Sequence, residues 1–312
     1  MSSPDSAPTA APGPAPAAAP SAAPIVTARG LAKSFGRRKI LHELDFDIPP
    51  GRVYGLIGHN GAGKTTTLNA LLGLTPCQGT LKVLGLDPFA HRARLMRDVA
   101  FISDVASLPR MLYVRDLFRL LTDIHPAFST ERALNFLEGT DVRAEFKIGN
   151  LSKGMLAQLH LAVVMAIEAR LLVLDEPTLG LDITYRKRFY RRLVEDYMTE
   201  KRTLLITTHQ VDEIEPLLTD IMFMKEGRLV LNCPMTEVGE RFTQLITTPE
   251  TRDAARALQP VFAETRFGQS VMVFDRVSRE LLEPLGRIST PTISDLFVAL
   301  MERYPQEAEA AA

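Results

Sequence analysis

With 312 residues and a net charge of −1, the chain is long enough to bury one sizeable core and a smaller second unit, and no global basic field points to a nucleic-acid partner. Its two cysteines, Cys77 and Cys233, lie far apart in no metal-type spacing, which excludes a disulfide framework and suits a reducing compartment. No apolar run approaches the roughly 18 residues that span a bilayer, so the chain is not expected to form a channel by itself.

Residues 1–24 are dominated by Ala, Pro and Ser, with neither a basic start nor an apolar centre; they read as a disordered tail and not as a secretory signal. Residues 25–31 alternate as a strand does, residues 33–36 read as a turn, and a second strand near residues 44–48 stops at Pro49-Pro50-Gly51. Two short antiparallel strands here predict a β-subdomain. Phe35 suits either stacking on a nucleotide base or filling the core of the strand turn.

The apolar run 53–57 reads as a buried strand and is followed by Gly58-His59-Asn60-Gly61-Ala62-Gly63-Lys64-Thr65-Thr66, then by a helix closed at Gly73. Gly, four residues and Gly-Lys-Thr between a strand and a helix is the pattern that cradles nucleotide phosphates. A polyphosphate needs several backbone N–H groups at close range, which side chains on the turn would block, and the helix N-terminus that follows favours anions. Lys64 supplies a mobile positive charge, and the Thr65 hydroxyl is placed to ligate Mg²⁺.

Further strands are expected at residues 79–85 and 99–102, with a basic helix at 88–97 between them. Helices fill residues 111–141, and Arg92, Arg94, Arg97, Arg110, Arg115 and Arg119 read as solvated helix surface in preference to a basic face. At residues 151–155, Ser152 has the character of an N-cap and Gly154 permits a close backbone approach, ahead of an apolar helix over 156–169. The wholly apolar stretch 171–174 ends in Asp175-Glu176, so a buried strand delivers two carboxylates at its C-terminal end, where ligands sit in parallel α/β sheets. Such a pair is costly unless a cation or a bonded water meets it. Asp175 suits Mg²⁺, and Glu176 suits orienting or deprotonating an attacking water. A turn through Asp182, a charged helix over 184–198 and a strand over 203–208 bring His209 to a strand tip beside the acid pair. Towards the end, residues 271–274 read as a strand, and Thr292 with Asp295 three residues on starts a closing helix.

In this order the phosphate loop, the Leu-Ser-x-Gly helix start, Asp-Glu after a strand and the strand-terminal His resemble the ATP-binding subunit of ABC transporters, from Ile25 to Cys233. The end of the chain looks like the C-terminal helix of exporter-type bacterial members that work with a separate permease. The resemblance implies an α/β fold: a P-loop NTPase core with a parallel sheet, an N-terminal antiparallel β-subdomain, a helical subdomain at about residues 104–160, and a small C-terminal α+β appendage. The expected divisions are 25–235 for the ATP-binding domain, 236–305 for the appendage and 306–312 for a disordered tail. It further implies ATP and Mg²⁺ as ligands, Glu176, His209 and Lys64 as catalytic residues, and a head-to-tail pair of such domains in which Ser152, Gly154 and Asp182 meet ATP held by a partner chain. Asp104 stands where the family usually has a metal-sensing glutamine, and Lys153 and Met155 replace the usual second glycine and glutamine. The implied partners are a second ATP-binding domain and an integral permease, with no nucleic acid, on the cytoplasmic face of the membrane. The alternative within the resemblance is a soluble ATPase acting on ribosomes or DNA; the chain has neither the tandem domains nor the long coiled-coil insertion usual there.

Overall fold

The computed structural model describes residues 23–102, 108–178, 181–197, 202–208, 210–266 and 268–310. β1 (Val26–Phe35) and β2 (Arg38–Ile48) form a hairpin, β3 (Val53–Ile57) leads into the phosphate loop, and β4 (Gln78–Val83) returns beside β1. The order β2-β1-β4 makes a three-stranded antiparallel sheet. The hairpin is longer than the sequence suggests. Residues 33–35, expected in a turn, belong to β1, and the reversal lies at Gly36 and Arg37, with Gly36 at φ 58°. Register shifts between Ala28 and Leu31, Leu31 and Lys33, and Lys33 and Ser34 break the two-residue alternation by which a strand is recognised.

β5 (Val99–Ile102), β6 (Leu171–Asp175), β7 (Thr203–Thr207), β8 (Asp220–Lys225) and β9 (Arg228–Pro234) join β3 in a six-stranded sheet of order β5-β6-β7-β3-β8-β9. Its first five strands are parallel and β9 is antiparallel. β3, β6 and β7 are buried along their whole length, which is why they are written as uninterrupted apolar runs instead of alternating ones. The C-terminal ends of β3, β6 and β7 therefore sit side by side, and the phosphate loop and the acid pair emerge there together.

A helical layer, Val114–Ile124, Thr130–Leu137 and Lys153–Met165, encloses its own core of Val114, Phe118, Phe128, Leu137, Ile148 and Leu159. The last of these helices begins three residues before the expected apolar start because the Ser152 hydroxyl accepts a hydrogen bond from the Met155 amide, a cap that fixes the boundary. The helix Ile183–Arg192 continues into a π-helical turn over Leu193–Tyr197.

β10 (Phe242–Thr247), β11 (Phe262–Arg266), β12 (Gln269–Asp275) and β13 (Gly286–Ser289) form an antiparallel sheet of order β11-β12-β10-β13. Leu245, Met272, Phe274 and Leu282 make a small core on one face. Phe242 and Val273 point the other way, into the cluster that also holds Ile293 and Leu296 of the C-terminal helix and Ile57, Ile221 and Phe223 of the parallel sheet. That helix spans Ile293–Ala310. It runs through residues expected in a disordered tail, because a Glu-Ala repeat is also a strong helix former once a packed first turn has nucleated it.

Candidate functional site

The phosphate loop is shaped by what its glycines leave out. Gly58 is buried, and a Cβ there would stand 2.5 Å from the Met224 carbonyl oxygen of β8, so the loop lies closer to β8 than any side chain permits. Gly61 and Gly63 adopt φ of 82° and 105°, a region that costs other residues about 1–2 kcal/mol. Gly63 is the N-cap of the helix Lys64–Leu71 and has no side chain with which to cap its first amides, so those N–H groups face the loop's concave side. Lys64 curls back, its Nζ donating to the carbonyls of Gly58 at 2.6 Å and His59 at 3.3 Å. Burial pushes its pKa down from the ordinary lysine value, against the opposing charges of Glu176 and Asp175.

An open cleft of about 410 Å³ runs along the loop, lined by Phe35, Arg38, Ile40, Asn60, Gly61, Ala62, Gly63, Lys64, Thr65 and Thr66. Phe35 is 55 % exposed, so of its two readings the core residue is set aside; the ring stands on the cleft rim with Lys33 Nζ 4.9 Å from its centroid. Arg38 enters the cleft as the hairpin partner of Phe35, a position hidden by the misplaced turn.

At the end of β6, Asp175 is buried. Its Oδ2 accepts from Thr65 Oγ1 at 3.1 Å and its Oδ1 from Thr207 Oγ1 at 2.5 Å. The Glu176 amide donates to both the carbonyl and the hydroxyl of Thr207, at 3.1 and 3.2 Å, while Glu176 itself takes φ 49°. The sheet ladder thus ends on Thr207, and a left-handed residue follows, an uncommon conformation for Glu that is held by its surroundings. Thr207 was not singled out in the sequence. Its signal was available only through register, since it pairs with Asp175 across β6 and β7.

Ser152, Gly154 and Asp182 lie elsewhere and do not line this cleft. Ser152 and Asp182 each cap a helix, Asp182 Oδ1 accepting from the Tyr185 amide at 2.9 Å, and both are exposed. A Cβ on Gly154 would meet nothing within 4 Å. Asp104 and His209 lie outside the described residues, as do Leu179 and Gly180.

Among the described residues no group of three or more His, Cys, Asp or Glu is arranged to hold a metal. Mg²⁺ asks for less. It binds through one or two protein oxygens and completes its shell with phosphates and water, and the Thr65 hydroxyl and Asp175 carboxylate are two hard oxygen donors already in contact. The residues therefore fit that ion when it arrives with a nucleotide.

The family described as ABC transporter matches residues 41–179. The chain is 36 % identical over 209 residues to Nod factor export ATP-binding protein I of Burkholderia lata, covering 65 % of this chain and 68 % of the relative. It is 31 % identical over 222 residues to bacitracin transport ATP-binding protein BcrA of Bacillus licheniformis, covering 70 % and 72 % respectively. Among solved structures, an ATP-binding subunit of an ABC transporter superimposes with a TM-score of 0.64 at 22 % identity, over 69 % of this chain and 92 % of that one, a likeness of fold.

Proposed function

The chain belongs to the ABC transporter family, and on that premise we propose that it is the ATP-hydrolysing subunit of an exporter-type transporter, closing with a second copy around ATP and Mg²⁺ to drive a separately encoded permease. The observation that carries this reading is the hydrogen bond between Thr65 and Asp175, which joins the phosphate loop to the acid-bearing strand beside Lys64. Among the described residues no helix is long and apolar enough to cross a membrane, which is consistent with a subunit acting from the cytoplasmic face on a membrane partner. The names of the two relatives speak of export and of transport; transport is extended to this chain, and a particular cargo is not. Nothing in these relatives favours work on ribosomes or DNA.

In the proposed cycle Phe35 stacks on the base, and the amides at the start of the phosphate-loop helix receive phosphate oxygens. Lys64 exchanges its two loop carbonyls for the outer phosphates. Thr65 and Asp175 would hold Mg²⁺, with Asp104 proposed as a further ligand, and the ion would supply positive charge to offset that of the phosphates. Glu176 takes a proton as the water oxygen bonds to the γ-phosphorus and the bond to the bridging oxygen breaks, releasing ADP and phosphate. His209 steadies the γ-phosphate. Ser152, Gly154 and Asp182 of the second copy close the other side. Residues 25–235 form the ATP-binding domain in this proposal and 236–305 the appendage.

The test is phosphate release by the purified chain with ATP and Mg²⁺, beside Lys64→Ala. Wild type should turn over, and the variant should lose about 10²–10³ in rate, as when one preorganised electrostatic stabiliser is removed. Equal turnover in the two proteins would remove the basis of the proposal. Copurification of an integral membrane protein from detergent extracts tests the transport half.

A further inference from the structure

The C-terminal helix Ile293–Ala310 is remote from the cleft in sequence, yet it contacts both the phosphate loop and the segment that follows β7. The Phe297 ring lies 5.0 Å from the His59 ring in the phosphate loop and 5.2 Å, edge-on, from Phe223. Phe223 is wholly buried on β8 and serves as a fixed backstop, whereas His59 is exposed and contributes one of the carbonyls that Lys64 grips. At the start of the same helix, Ser294 Oγ donates to Asp212 Oδ1 at 2.5 Å and the Ile293 amide donates to Glu215 Oε2 at 3.2 Å. Asp212 and Glu215 belong to the segment that follows β7, the strand that holds Asp175 through Thr207. From its other side this segment is held by Arg186, which donates to Gln210 and pairs with Glu213 at 3.2 Å.

We propose that the C-terminal helix is a positioning element of the nucleotide site, with Phe297 seating His59 and its loop while Ser294 and Ile293 anchor the segment beyond β7. The inference rests on the ATPase reading. It follows by linkage that ATP binding and docking of this helix strengthen each other. Phe297 is a positioning residue, since it acts on ATP only through His59.

The experiment uses the full chain in four forms: wild type, His59→Ala, Phe297→Ala and the double variant, with Phe297→Tyr as the ring-preserving control. An aromatic contact of this kind corresponds to about a 2- to 10-fold effect, so each single variant should raise KM for ATP by that factor with kcat little changed. The double variant should be no worse than the worse single, and Phe297→Tyr should restore wild-type KM. In hydrogen exchange, amides of residues 293–301 should gain protection on saturating ATP in wild type and lose that gain in His59→Ala, a substitution that leaves Phe297 packed on Phe223 and so does not depend on Phe297→Ala folding well. Additive KM effects, or protection of residues 293–301 that ignores ATP while binding is intact, would overturn the proposal alone. A wild-type chain that fails to bind a fluorescent ATP analogue would instead overturn the ATPase reading beneath it.

Discussion

A buried carboxylate is costly unless its lone pairs meet donors or a cation, and Asp175 meets two hydroxyls, those of Thr65 and Thr207. One belongs to the phosphate loop and must turn towards an incoming ion; the other is a fixed part of β7, with Thr207 entirely inaccessible to solvent. Thr207→Val keeps the shape and deletes the fixed donor, leaving Asp175 Oδ1 short of a partner while the Glu176 amide keeps the carbonyl of residue 207. We expect a loss of about 1–3 kcal/mol in urea unfolding, the usual result of orphaning a buried polar atom, together with a fall in kcat larger than the change in KM. Unchanged stability and turnover would show that the hydroxyl is dispensable. A second buried hydroxyl nearby has a pH signature. Tyr190, hydrogen-bonded to Thr178 just past the acid pair at 3.0 Å, has its phenol pushed up to about 12, mainly by burial. Between the ordinary phenol value near 10 and about 12 the folded state therefore keeps a proton that the unfolded chain has lost. The stabilising contribution is complete below about pH 10 and disappears as pH rises through the folded value. The difference in unfolding free energy between wild type and Tyr190→Phe should shift by about 2–3 kcal/mol over that window, read from urea midpoints between about pH 9 and 12; a difference that stays flat with pH would mean that Tyr190 titrates normally.

Three strands buried along their whole length announce themselves, and the bulged hairpin does not. β3, β6 and β7 were legible because each lies in the sheet interior and is written as a continuous apolar run; with them came the phosphate loop and Asp175-Glu176, the part of the site that lies at strand ends. β1 and β2 were read short because bulges interrupt their alternation. In the last sheet only β12 was visible; β11 and β13 are its edge strands, and β13 buries none of its four residues. Contacts such as Thr207 with Asp175 or Phe297 with His59 need the tertiary arrangement, because no local pattern relates residues so far apart. The same logic separates two glycines of equal prominence in the sequence. At Gly58 an added methyl would collide with the backbone of β8, 2.5 Å away, whereas at Gly154 it meets open space. Gly58→Ala should therefore cost about 1–3 kcal/mol of stability, the usual penalty of overpacking, and weaken ATP binding. Gly154→Ala should melt as wild type does, so that any loss of activity in it reports contact with another chain. Equal melting temperatures in both variants would contradict the packing described for the loop.

At the scale of the molecule, one chain presents only half of what the proposed chemistry needs. The cleft gathers the phosphate loop, with Asp175 and Glu176 beside it, but Ser152, Gly154 and Asp182 stand outside its lining. Ser152 opens the long helix Lys153–Met165, whose N-terminal amides and dipole favour an anion, and a second copy turned head to tail would bring that helix start to the γ-phosphate. In such an assembly ATP holds the two chains together and hydrolysis releases them. Glu176→Gln should trap it, because glutamine preserves the shape of the side chain and cannot accept a proton from water, while the contacts made by Lys64, Thr65 and the second copy's Ser152 remain. Size-exclusion chromatography with light scattering should then give twice the chain mass for Glu176→Gln in saturating ATP and a single chain mass without nucleotide. Adding Ser152→Arg should return the ATP-bound form to monomer, since a long cation replaces a small hydroxyl where the helix start has to approach closely. If Glu176→Gln binds ATP and stays monomeric, or if Ser152→Arg leaves the dimer intact, the second side of the site is not supplied by another copy through this helix.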